Sequence, residues 1–247
     1  MGIPGFGKGR TSKAVGEVRS ALDTAKDGPK DEGALGGQAT RLVQNVLDLG
    51  IDGKGFFDSA AKVADKALSD AGGDAEKAVA AVVRSHLRLA GGNGFVTSIG
   101  GFITWPVALP ANVLGFYLLA TRMTAAVARL RGHDIGSEQI RTAVLLTLVG
   151  ADADDLLRKA GMVAPGGRMV NLAAQRLPGP ALMVVNKGVG FRLLATAGKG
   201  AFSKLGRLVP VVGGVVGAGL DAWMLNRVAD NARREFPRAA AGQLASS

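Results

Sequence analysis

The sequence predicts an all-α fold: a compact multi-helix bundle with glycine-rich helix packing and a flexible N-terminal arm. Three observations carry this. Apolar residues recur at three- and four-residue spacing from Leu42 onward, and no stretch sustains the alternation of a half-buried strand. The third is that 37 glycines among 247 residues supply small positions where helix backbones can approach closely. Hydrophobic residues make up 47% of the chain, enough for a core, which excludes disorder over most of its length.

Residues 1–34 are dense in Gly, Pro, Lys and Asp around one short helical pattern at Val15 to Ala25, and read as a mobile or weakly docked arm. A helical domain is expected over 35–237 and a disordered tail over 238–247. Leu42, Val46 and Leu49 mark the first amphipathic helix, and Ala60, Val63, Ala64, Ala67 and Leu68 the second, with the turn IDGKG between them. The third spans Asp74 to Ala90; Asp74 is its N-cap, and Val79, Val82, Val83, His86 and Ala90 share a face. Between Leu89 and Thr121 lie 33 residues without a charge, broken by Pro106 and Pro110, so helix is expected only from about Pro110 to Arg131. Its uncharged part covers about 20 Å, short of the roughly 30 Å hydrocarbon core, so the segment is either protein core or a wedge entering a bilayer part-way. Further helices are expected at Ser137 to Val149, Asp152 to Gly161, Gly167 to Gln175, Pro180 to Ala197 and Pro210 to Glu235. In the last, Gly213 and Gly217 form a GxxxG pair with Gly214 beside it, a helix-packing stripe.

Composition narrows the chemistry. With no cysteine there is no disulfide, thiolate nucleophile or zinc finger, and two histidines cannot build a His-rich metal centre, so no metal or cofactor is expected. No secretory signal follows the basic start, and Phe6 breaks the myristoylation pattern; the chain reads as cytoplasmic. The glycine loops GFGKGR, IDGKGFF and TAGKGAF lack phosphate-loop spacing, and neither GxSxG, HExxH nor a catalytic carboxylate pair is present, so no catalytic residue is assigned. His133 and Asp134 read as a helix end, and Asp152, Asp154 and Asp155 as a capped acidic helix start.

The formal charge is +10, and the excess is C-terminal. No acid occurs between Asp155 and Asp221, while Arg158, Lys159, Arg168, Arg176, Lys187, Arg192, Lys199, Lys204 and Arg207 supply nine cations. That pattern suits an anionic phospholipid surface, each cation near it contributing about 1 kcal/mol at low salt. Nucleic acid is disfavoured, because aromatic residues are 5% of the chain and are not interleaved with the basic ones. Phe95, Phe102, Trp105, Phe116 and Tyr117 are the candidates for apolar insertion or docking. Asp221 interrupts an apolar helix face and demands a partner; Arg122, at the end of the uncharged segment, is one candidate, and His86 or Lys187 are others.

Five segments in order, IDGKGFFDSAAKVADKAL (51–68), GFVTSIGGFITWPVALPAN (94–112), RMTAAVARLRGHD (122–134), VNKGVGFRLLATAGKGAFSKLGRLVPVVGGVVGAGLDAW (185–223) and ADNARREF (229–236), resemble the EcsC family of bacterial proteins. His133 stands where that family's GYD-like step carries an aromatic residue. The resemblance implies a helical bacterial protein, membrane-associated on the cytoplasmic side, in a family whose name-giving relative is encoded beside an ABC exporter. It brings no catalytic residue set. The expectation is therefore a non-enzymatic peripheral protein at the inner face of the cell membrane, binding anionic lipid or a membrane complex. The alternatives are a soluble helical module enclosing a hydrophobic small molecule or lipid, and an enzyme with a polar site around Asp221 and Arg122.

Overall fold

The helix-forming runs become eight α-helices in the computed structural model, which describes residues 34–55, 57–91, 111–150, 153–159, 179–201 and 210–239. In chain order these are α1 (Ala34–Leu47), α2 (Ala60–Asp70), α3 (Ala75–Gly91), α4 (Ala111–Leu130), α5 (Glu138–Val149), α6 (Ala153–Lys159), α7 (Gly179–Ala201) and α8 (Pro210–Glu235). A π-helical turn, Asp48–Asp52, continues directly from α1. Among the described residues there is no β-strand; an isolated Lys54–Phe57 bridge closes the loop after the π-turn. The fold is all-α, as the periodicity predicts. The expected helices at Val15 to Ala25 and Gly167 to Gln175 lie outside the described residues.

Local chemistry sets the helix starts. Asp74 Oδ1 accepts from the backbone N–H groups of Glu76 and Lys77, Ser137 Oγ from that of Ile140, and Ser59 Oγ from that of Lys62, which caps α3, α5 and α2. The Lys77 N–H is the leading reason that the Asp74 carboxyl sits below the usual carboxylate range. The IDGKG turn requires glycine at Gly53: φ is 73°, and a Cβ there would lie 2.5 Å from the carbonyl oxygen of Phe57.

Helix α4 is the centre of the core, with every residue from Tyr117 to Ala128 buried. It is packed by α2, α3, α5, α8 and the π-turn, so it has no solvent stripe to carry charge. This accounts for the uncharged sequence of its first half. Helix α7 lies on α1 and α5, and its approach to α1 is backbone to backbone: a Cβ on Gly190 would stand 2.5 Å from the carbonyl oxygen of Ala39. Thr142 Oγ1 donates to Asn186 Oδ1 at 3.0 Å, joining α5 to α7.

The C-terminus is clasped. Arg131 donates from Nη1 to the carbonyl oxygens of Arg233 (2.5 Å) and Phe236 (2.9 Å), and from Nη2 to Glu76 (3.0 Å). Arg238 reaches the same Glu76 at 3.4 Å, and the Ala239 N–H donates to the Arg131 carbonyl at 2.8 Å. The chain is therefore docked as far as Ala239, past the point where the sequence places the start of a tail. Because Glu76 opens α3 and meets the residues that close α8, these two packed helices run antiparallel. No helix among the described residues is long and apolar enough to cross a membrane.

Candidate functional site

The expected basic surface is only partly described. Arg158 is exposed on α6, and Lys159 ends that helix. Lys187 and Arg192 lie half-buried on α7, and Lys199 falls within the same helix. Arg192 is not free for lipid: its Nη2 pairs with Asp155 at 2.9 Å, so one cation of the set is neutralised from the acidic start of α6. Arg168, Arg176, Lys204 and Arg207 lie outside the described residues, as do Phe95, Phe102 and Trp105. The two remaining aromatic candidates belong to the interior. Tyr117 is 5% exposed, and Phe116 packs partly buried against the core with its ring edge-on to Tyr117 at 5.6 Å. Tyr117 therefore has no surface for insertion, and Phe116 keeps only part of one. Gly213, Gly214 and Gly217 fall within α8, as the small-residue stripe requires.

Arg122 and His86 are brought together, and Asp221 is left out. Arg122 is buried in the centre of α4, where its Nε donates to His86 Nε2 at 3.1 Å and its guanidinium stacks on the Phe57 ring, 4.0 Å from the centroid. His86 Nδ1 lies 2.8 Å from the Val82 carbonyl oxygen one turn back along α3. A carbonyl can only accept, so Nδ1 carries the proton and Nε2 offers its lone pair to Arg122. Burial, then the charge of Arg122, pushes the imidazole down to about 4, which keeps it neutral at neutral pH. Burial likewise pulls the guanidinium down to about 10, partly offset by the Asp58 carboxylate. Asp221 sits half-buried on α8 with no ion pair among the described residues, and desolvation raises its carboxyl pKa. The buried cation thus found an imidazole on the neighbouring helix where the sequence offered a carboxylate from α8.

A second feature was not singled out in the sequence. Trp223 is 54% exposed on α8, with Arg227 one turn on and its guanidinium 5.0 Å from the indole centroid; Met224 is exposed beside it. Leu89 is exposed near the end of α3, with Arg84 and Arg88 also exposed. Antiparallel packing brings the C-terminal end of α3 to the level of the middle of α8, where Trp223 lies. Leu89 lies thirteen residues beyond Glu76 and Trp223 thirteen before Phe236, so each is about 20 Å from the Arg131 clasp. From Lys77 to Gly91, α3 has no acid. The available signal was Trp223 paired with Arg227 at i+4 on a helix whose buried positions are Leu225, Val228, Ala229 and Ala232. That phase turns Trp223 outward.

Among the described residues no three His, Asp or Glu side chains are grouped to hold a metal ion. Comparison with protein-family models, with curated proteins and with solved structures finds no match to this chain.

Proposed function

We propose that the protein docks peripherally on an anionic membrane surface through the middle of α8 and the C-terminal end of α3 beside it, at the cytoplasmic face that the EcsC-like motif order implies. The observation that carries this reading is the exposed Trp223, flanked by Arg227 and level along the helix pair with Leu89 and Arg88, with Arg84 a turn nearer the clasp. An indole with an apolar body and a polar edge partitions to the headgroup region, and arginines around it meet lipid phosphates. Cations beyond Arg158 on the C-terminal half add to the same attraction, and a membrane complex such as an ABC exporter would be reached from the same surface. The function is binding; no reaction is assigned.

Co-sedimentation with neutral and anionic vesicles at low and high salt tests it. Binding should require anionic lipid and weaken with salt. Replacing Arg84, Arg88 and Arg227 together by Gln should weaken it by about a hundredfold, at about 1 kcal/mol per cation. Trp223→Ser should weaken binding at both salt concentrations, since it removes the apolar contribution. Equal binding of the wild type and these variants, or equal binding to neutral vesicles, refutes the proposal.

A further inference from the structure

We propose that Arg122 forms the base of a second, independent site, one that takes a monocarboxylate. Arg122 is only 8% exposed, yet its Nη1 and Nη2 make no hydrogen bond or ion pair among the described residues. Neither atom is wholly sealed from solvent without a partner. A guanidinium this deep in a core ordinarily has a carboxylate against it, because taking the charge out of water is costly. Here its hydrogen-bond partner is a neutral imidazole, which supplies direction and no charge. The Asp58 carboxylate acts on it through space only, being held by Lys62 at 2.6 Å.

The geometry prepares the fork. His86 fixes Nε, the Phe57 ring fixes the guanidinium plane, and the Val82 carbonyl fixes the His86 tautomer. What remains is a pair of parallel N–H donors, Nη1 and Nη2, matched to the two oxygens of a planar anion. Charge selects among anions. One cation beside a neutral histidine, with the Asp58 field close by, is balanced by a monoanion, whereas a phosphate dianion leaves excess negative charge in a largely desolvated place. A carboxylate fits both the fork and the charge.

Calorimetric titration of the full chain with acetate, octanoate and inorganic phosphate at neutral pH and constant ionic strength tests this. We expect saturable one-site carboxylate binding that is about tenfold weaker in Arg122→Lys, which keeps the charge but not the fork. Binding should be absent in Arg122→Met and unchanged in Trp223→Ser, whose site is separate. Octanoate binding more tightly than acetate assigns the site to fatty acyl carboxylates; equal binding assigns it to short acids. Should Arg122→Met not fold, the wild type supplies a second readout: octanoate should slow phenylglyoxal labelling of Arg122, followed by peptide mass spectrometry, while labelling of exposed Arg84 is unchanged. No saturable heat, phosphate bound more tightly than carboxylate, undiminished binding in Arg122→Lys, or no protection of Arg122 overturns the proposal.

Discussion

Acid should unfold this protein through His86 before it does so through the surface carboxylates. In the fold the imidazole is pushed from its ordinary 6.5 to about 4, first by burial and then by Arg122, while the Val82 carbonyl opposes the shift. The unfolded chain takes up a proton at His86 as pH falls through 6.5, and the folded chain does not until about 4. The folded-state pKa being the lower, the contribution of this group is fully present above 6.5 and is lost as pH falls from 6.5 to about 4. The maximal slope is about 1.4 kcal/mol per pH unit, and the whole interval amounts to about 3 kcal/mol, an upper bound set by how far local relaxation admits water. Asp74 and Glu76, whose carboxyls lie below the usual range, lose their contributions only at more acid pH, and Asp221, whose carboxyl is raised, acts with the opposite sign. Urea unfolding followed by far-UV circular dichroism, at pH steps from neutral to mildly acid, compares wild type with His86→Gln, which keeps an acceptor for Arg122 but cannot titrate. The wild type should lose about 2 to 3 kcal/mol more than the variant over that range. Parallel curves for the two proteins, or a flat wild-type curve, would refute a neutral, desolvated His86.

Other perturbations have equally definite outcomes. Gly190→Ala places a Cβ 2.5 Å from the Ala39 carbonyl oxygen, so α1 and α7 must separate; a loss of about 1 to 3 kcal/mol should appear as a drop of several degrees in Tm. Gly37→Ala, on α1 with nothing within 4 Å of the new methyl, should instead raise Tm slightly, by about 0.5 to 1 kcal/mol of helix propensity. Ser137→Ala removes the oxygen that caps α5 and should cost about 1 kcal/mol in urea unfolding. Arg131→Leu leaves the Arg233 and Phe236 carbonyls without their arginine donor and Glu76 with Arg238 alone; hydrogen exchange should quicken at Phe236 to Ala239 while α4 stays protected.

Much of the architecture was legible because helices announce themselves locally. The three-and-four spacing of α2 and α3, Asp74 and Ser137 as caps, Pro210 in the first turn of α8 and the glycines of IDGKG are all decided within a few residues of where they act. The π-turn at Asp48–Asp52 was not legible, since its widened backbone accompanies the close approach of Gly50 to Thr121 on α4, where a Cβ would stand 2.7 Å from the threonine side chain.

The candidate sites divide the same way. By itself the sequence determined which residues carry unusual charge: a buried-face histidine, an arginine ending a long neutral stretch, an aspartate interrupting an apolar helix, and an excess of cations in the C-terminal half. Only the tertiary structure decided which of these meet. Arg122 takes His86 because α3 and α4 pack side by side, and Arg192 takes Asp155 because α6 and α7 touch. Tyr117 is core because α4 is enclosed by other helices from Tyr117 to Ala128, and the C-terminal end of α3 reaches the level of Trp223 because α3 and α8 run antiparallel. Periodicity fixes the phase of a helix about its own axis. It carries no information on which other helix lies against each face, and for long-range ion pairs and surface patches that second fact determines the chemistry.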